Sequence, residues 1–253
     1  MGWWTDWKRR RTLARHAIDE ALWARTVLAL PCIGELARED AADLRALALL
    51  FLAEKRLVGA QGFALDDAMR VTIAAQACLP ILRLGLDWYE DWVEVIVYPG
   101  DFRVQRSQLD ETGVVHEWED ELAGEAMPGG PVVLSWDAAT NDPAMNVVIH
   151  EFAHKLDMRS GEADGMPPLH AGMSRAAWHA AFSTAYEGFC DRVERRIETW
   201  LDPYAAEDPA EFFAVVSEAF FVWPRETARR YPEVYAQLAA FYRQDPVARL
   251  PAF

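Results

Sequence analysis

The sequence predicts an α+β chain, predominantly helical, with a small sheet set beside one buried helix. Three observations predict it. The first third carries apolar residues at helix-like intervals, residues 92–136 hold short alternating or β-branched stretches, and residues 147–157 surround a few polar side chains with apolar ones. Helices show an apolar period near 3.6 and half-buried strands a period of 2, so the change of pattern near Trp88 marks a change of element type.

A first helix is expected from about Thr12 to Leu30, with Leu13, Ala17, Trp23 and Val27 spaced along it and Pro31 ending it. A second runs from about Asp40 to Val58, turning Leu44, Leu47, Leu50, Phe51 and Leu57 toward a core, and Gly59 closes it. A third, from Asp66 to about Leu84, has an acidic capped start in Leu65-Asp66-Asp67. These helices hold no chemical motif and read as packing scaffold.

Trp92 to Tyr98 alternates as a half-buried strand does and stops at Pro99-Gly100. Val114 to Trp118 reads as a second strand, with His116 an ordinary strand histidine, and Gly130 to Trp136 as a third. An extended peptide can pair with an exposed strand edge, which makes a strand next to a catalytic helix useful. The polar stretch Asp137 to Pro143 then turns into that helix, with Asn141 or Asp142 as its cap and Pro143 in its first turn.

Composition excludes several functions. A net charge of −15 disfavours general affinity for nucleic acid, which rests on lysine and arginine density. The basic cluster Lys8 to Arg11, beside Trp3, Trp4 and Trp7, is short and reads as a solvated helix start or arm. The apolar runs fall short of a membrane span, and no secretory h-region follows the basic residues, so a cytoplasmic protein without a membrane role is expected. Cys32, Cys78 and Cys190 are odd in number and far apart, as reduced buried thiols would be.

The run Val147-Val148-Ile149-His150-Glu151-Phe152-Ala153-His154-Lys155-Leu156-Asp157 contains the pattern His-Glu-x-x-His. Helical residues four apart share a face, so His150 and His154 can aim both imidazoles at one ion. Glu151 is turned roughly 100° away from His150, too far to ligate easily but well placed beside an open coordination position, where it can take a proton from water. A shuffled sequence of this composition would match the pattern only about 0.01 times. Buried imidazoles and a buried carboxylate need compensation, and one divalent cation supplies it, so the run reads as a zinc site. The competing reading is two core histidines bonded to backbone, with Glu151 on an exposed edge.

A third ligand has to come from downstream. Ser160 and Asp157 stand where one subclass would place a histidine and a glycine, which excludes that subclass. His170 and His179 each stand alone and read as ordinary surface or core residues. Of Glu162, Glu187, Glu194, Glu198, Glu207, Glu211 and Glu218, the last two share a stripe with Ala214 on a nearly all-apolar helix. That helix is capped by Asp208, opened by Pro209 and ended before Pro224. One carboxylate can ligate the ion while the other orients a histidine; alternatively both line a solvated groove, or Glu218 pairs with an arginine.

The segment His150 to Asp157, the strand Gly130 to Trp136, the run Asp202-Pro203-Tyr204-Ala205-Ala206 leading into Asp208 to Ala214, and the late run Phe241 to Pro246 together resemble the MtfA (Mlc titration factor A) family of bacterial zinc peptidases. The resemblance is strong from about Trp88 to Pro246, and residues 1–60 carry little that is diagnostic. That family is similar to the anthrax lethal factor catalytic domain, and the resemblance implies a zincin-like metallopeptidase core with the small sheet beside the His-Glu-x-x-His helix. Residues 1–60 are then an N-terminal helical segment packed on the core, and residues 61–253 the catalytic domain.

Carried onto this chain, the resemblance implies one Zn2+ on His150, His154 and Glu211, with Glu151 as general base. It also implies that Tyr204, seven residues before Glu211, hydrogen-bonds the developing oxyanion. The expected function is zinc-dependent hydrolysis of peptide or protein substrates, and the resemblance leans toward aminopeptidase-type activity. The alternative is a regulatory protein that sequesters a transcriptional repressor of the Mlc type, with or without peptidase activity. A purely structural zinc site is the weakest reading, because such sites favour cysteine and close all four positions. Gly161 to Pro168 reads as a mobile loop beside the site that could gate access.

Overall fold

The computed structural model describes residues 3–109, 115–141 and 146–250. In its first third the predicted helices form, but their boundaries move. α1 spans Trp3–Arg15 and α2 spans Glu20–Ala29, so the helix expected from Thr12 to Leu30 is two. The break falls where the Asp19 carboxylate accepts the Leu22 N–H at 2.8 Å and starts a new helix in preference to continuing the old one. Pro31 does more than end α2: it opens the short α3, Pro31–Gly34, at the position where a missing N–H costs nothing.

α4 covers Arg38–Glu54 and stops before Val58. The residues expected as its last turn, Arg56–Gly59, form strand β1, with Leu57 opposite Val95 of β2 (Glu94–Tyr98) in a parallel pair. Pairing with a distant strand overrides the apolar periodicity there. α5, Asp67–Cys78, is capped as predicted by Asp66, which accepts the Met69 N–H at 2.8 Å. It ends short of Leu84 because Pro80 has no N–H to give the next turn.

Two further strands were not foreseen. β3, Phe102–Leu109, pairs antiparallel with β4, Val115–Leu122, which extends past the expected Trp118 and carries His116 opposite Gln108; Val114 lies outside the described residues. β5, Gly124–Ala126, pairs antiparallel with β6, Val132–Ser135. The main sheet has the order β1-β2-β6-β5, and its first three strands are parallel. All four residues of β6 are buried, so the strand read from residues 130–136 is internal and the open edge nearest the motif belongs to β5.

The polar stretch after β6 is itself helical, α6 spanning Trp136–Asn141. α7, Val147–Asp157, is capped by neither Asn141 nor Asp142: Asn146 accepts the Ile149 N–H at 3.0 Å. Asp142 and Pro143 lie outside the described residues. Every residue of α7 is buried, because β5 and β6, α5 and α9 (Pro209–Val222) all pack on it. Phe152 anchors its far side among the rings of Phe51, Tyr89 and Trp92, at centroid distances of 5.7, 5.2 and 5.6 Å.

The long α8, Arg175–Glu194, precedes α9, and α10 (Pro224–Arg230), α11 (Pro232–Tyr242) and α12 (Pro246–Arg249) follow, each opened by a proline. The three cysteines are free, as expected, though only Cys78 is fully buried. Among the described residues no helix is long and apolar enough to cross a membrane.

Candidate metal centre

α7 and α9 cross with their ligand-bearing faces together. Asp208 caps α9 by accepting the N–H groups of Ala210 and Glu211 at 2.8 and 2.9 Å, which sets Glu211 in the first turn, directly over α7. His150 Nε2 then stands 3.1 Å from Glu211 Oε2, His154 Nε2 3.3 Å from the same oxygen, and the two Nε2 atoms 3.2 Å from each other. His150, His154 and Glu211 make the one group among the described residues whose ligand atoms converge as a metal needs. Tetrahedral ligands about 2.0 to 2.1 Å from a central zinc would stand about 3.3 to 3.4 Å apart, close to each edge of this triangle.

The ring contacts agree with that fit. Both Nδ1 atoms are buried and make no hydrogen bond among the described residues, while both Nε2 atoms face the carboxylate. Burial opposes a charged His150, but the Glu211 hydrogen bond and the charges of Glu151, Glu211 and Glu218 outweigh it and push its pKa up to about 9. For Glu211 burial again works toward the neutral form, and the two histidines reverse it, holding the carboxyl well below its usual range. Two buried imidazoles and a partly buried carboxylate are thus arranged as mutual counter-charges, an arrangement a cation can replace.

Glu218, two turns beyond Glu211, is buried and does not reach the triangle. It accepts the Asn146 N–H at 2.7 Å, and its carboxylate lies 3.9 Å from His150 Nδ1. Of the two carboxylates left open by the sequence, Glu211 therefore meets the histidines' Nε2 atoms and Glu218 stands behind one of them.

Glu151 lies beside the triangle, buried, and burial raises its pKa. The edge strand presses on it: a Cβ on Gly124 would stand 2.5 Å from Glu151 Oε1 and 2.7 Å from Val147 Cγ2. Tyr204 occupies a 3-10 turn, Pro203–Ala206, held by Asp202, whose carboxylate accepts the Tyr204 N–H at 2.8 Å. Its ring centroid is 6.3 Å from that of His150, and burial together with the Glu211 charge raises the phenol's pKa.

The other candidates fall elsewhere. His170 Nε2 donates to Phe241 O at 2.7 Å, His179 is exposed, and Glu162, Glu187, Glu194, Glu198 and Glu207 are exposed. The segment Gly161 to Pro168 is tied down: the Gly165 N–H donates to Asp157 Oδ2 at 2.8 Å, and Gly165 O accepts from Trp178 Nε1 at 3.0 Å. Gly165 also touches the start of α9, where a Cβ at its φ of +80° would lie 2.5 Å from Pro209 O.

Three supporting residues escaped the sequence reading. Gly124 gives no local signal, since its need for a bare Cα comes from α7, far along the chain. Asp157 is fully buried, and burial pushes its pKa up to about 6 against the Gly165 hydrogen bond. Lys155 donates to Met127 O and Gly130 O at 2.7 and 2.8 Å and so ties α7 to the β5–β6 turn. Both stood in the motif run as polar residues on an otherwise apolar helix, which was the available signal.

Known proteins resemble this chain along most of its length. The model of a family described as glucose-regulated metallo-peptidase M90 matches residues 4–243. Mlc titration factor A of Cronobacter sakazakii is 38% identical over 249 residues, covering 96% of this chain and 92% of that protein. The proteins of the same name from Salmonella gallinarum and Salmonella typhi are each 41% identical over 231 residues, covering 88% of this chain and 86% of theirs.

Proposed function

The chain belongs to the glucose-regulated metallo-peptidase M90 family, and on that premise we propose that it is a zinc-dependent peptidase holding one zinc on His150, His154 and Glu211. The observation that carries the reading is the ligand triangle, with edges of 3.1, 3.2 and 3.3 Å. Zinc in such a site supplies a Lewis acid that lowers the pKa of water toward about 7 and polarises a carbonyl.

The protein's own groups do the rest. Glu151, given room by the bare Cα of Gly124, takes the proton of the attacking water and hands it to the leaving amine. Its raised pKa brings it closer to the pH at which it must both accept and release that proton. The Tyr204 phenol stays protonated and donates a hydrogen bond to the substrate carbonyl oxygen as charge gathers there. Glu218 adds a negative charge behind His150, 3.9 Å from Nδ1, which favours positive charge on that ring. Peptides or proteins are the substrates, aminopeptidase-type cleavage is the favoured mode, and the protein works in the cytoplasm.

The relatives' name supports a second reading, binding of a transcriptional repressor of the Mlc type. A net charge of −15 suits a basic partner surface, and binding and hydrolysis can share one chain. Capture of such a repressor by the Glu151→Gln protein would separate binding from turnover.

The deciding experiment measures metal by elemental analysis, beside peptide hydrolysis, in wild type and in Glu211→Ala. One zinc per wild-type chain, lost together with activity in the variant, is expected. A folded wild type that takes up no zinc even when it is supplied would sink the peptidase reading.

A further inference from the structure

A cavity of about 490 Å3 opens beside His150, Glu151 and Tyr204. Its walls are Val147 of α7, Val215 and Ala219 of α9, and Trp200, Leu201 and Trp223. The turns of α9 that follow Glu211 therefore line the cavity, so the helix that brings a carboxylate to the histidines also builds this wall. The Trp200 and Trp223 rings meet edge to face with centroids 6.2 Å apart and form one corner. The volume falls within the range of sites that enclose a small ligand or a large side chain.

The acidic groups that reach the cavity are at work elsewhere or sit in solvent. Glu218 accepts from Asn146 N, Asp202 caps the turn of Tyr204, and Glu121 is exposed. Their charges oppose an acidic occupant, while the walls offer an apolar one a dry surface.

The edge strand gives the cavity a direction. Gly124 abuts Glu151, and the residues before it, Leu122 and Ala123, line the cavity, whereas Glu125 and Ala126 after it do not. Ser135 N donates to Ala123 O at 2.7 Å, so the inner side of this segment is already paired with β6 and its other side is the open edge. A peptide pairing antiparallel with that edge runs from Ala126 toward Leu122, passes Glu151, and meets the cavity with the residues that follow the cut.

Building on the peptidase reading, we propose that this cavity selects peptides whose residue immediately after the scissile bond has a large apolar side chain. Trp200, Trp223, Val215 and Ala219 determine that specificity, and acidic side chains are rejected. Burying one leucine or phenylalanine side chain gives about a 10- to 100-fold advantage in kcat/KM over alanine.

The test uses the zinc-loaded full chain and a mixture of random peptides, with cut sites read by mass spectrometry. Matched peptides that differ only in the residue after the cut then give kcat/KM ratios. Leucine or phenylalanine should exceed alanine by 10- to 100-fold, and aspartate should not be cut. Ala219→Leu, which fills the cavity, and Trp223→Ala, which removes a wall, should each bring the large-to-small ratio down by at least 10-fold with zinc content unchanged. Cleavage with no preference at that position, a preference for large residues before the cut instead, or a ratio unmoved in both variants overturns the proposal while leaving a peptidase. Zinc-loaded protein that cuts no peptide at all overturns the peptidase reading itself, and this inference with it.

Discussion

Glu151 and Tyr204 flank the same triangle but differ in what replacing them removes. Glu151→Gln keeps the side chain's size and its packing against Gly124 and loses only the ability to take a proton. Its zinc content should match wild type while kcat falls by about 10² to 10⁴-fold; undiminished turnover would remove Glu151 as the base. Tyr204→Phe deletes one hydrogen-bond donor from a residue that is 42% exposed and keeps the ring. A loss of about 10²-fold in kcat, with KM nearly constant, is expected of a group that acts mainly in the transition state, and a rise in KM alone would recast it as a substrate-binding residue. These residues differ equally in how far the sequence exposed them. His150, Glu151 and His154 sit within one turn and a half of a single helix, so local spacing was enough. Glu211 lies 57 residues beyond His154, and helical periodicity could narrow the choice only to a stripe shared with Glu218. For Tyr204 there was no physical signal in the chain, because its role depends on a turn folding back over His150.

At the scale of elements, two glycines mark where one element must approach another without a side chain. Gly165 lies between Asp157 at the end of α7 and Pro209 at the start of α9, the two helices that carry the ligands. Gly165→Ala puts a Cβ on a φ of +80° and 2.5 Å from Pro209 O, a backbone atom that cannot yield alone. The start of α9 should shift and take Glu211 with it, so zinc affinity measured by chelator competition should drop about 10- to 100-fold. Gly124→Ala instead crowds the Glu151 carboxylate, so turnover should fall with zinc affinity retained. If both variants lost zinc equally, the separation of ligand support from base support would be wrong. The same dependence on distant neighbours explains where element boundaries escaped the sequence. The caps at Asp66 and Asp208 are local hydrogen bonds and were legible. β1 was read as helix because its strand character comes from β2, and β5 was missed because three residues show no period of their own.

Across the whole molecule, the sheet and α7 are joined by cations set in an apolar interior. Lys55, at the junction of α4 and β1, is buried and donates to the carbonyls of Tyr89 and Trp92, and its Nζ lies 4.2 Å from the Trp92 ring centroid. Lys155 of α7 approaches the same ring at 5.2 Å, so Trp92 stands between the strand that begins the sheet and the helix that bears the histidines. Burial lowers the Lys55 pKa to about 8, although Glu54, Asp91 and Glu90 act to raise it. An unfolded lysine titrates near 10.5, so between pH 8 and 10.5 the unfolded chain binds more protons than the folded one, and stability contributed through this group rises with pH. The cost is fully present below pH 8 and is relieved as pH climbs through that window. Urea unfolding with chelator present, so that metal affinity adds no pH dependence, should show wild type gaining about 2 kcal/mol between pH 8 and pH 10 relative to Lys55→Met. Tyrosines with raised pKa values, such as Tyr89 and Tyr242, pull stability down at the alkaline end, but they are common to both proteins and cancel in the difference. Parallel pH profiles for the two would mean that Lys55 keeps its ordinary pKa, solvated along its stem, and that the contact of strand, loop and α7 around Trp92 is held by packing alone.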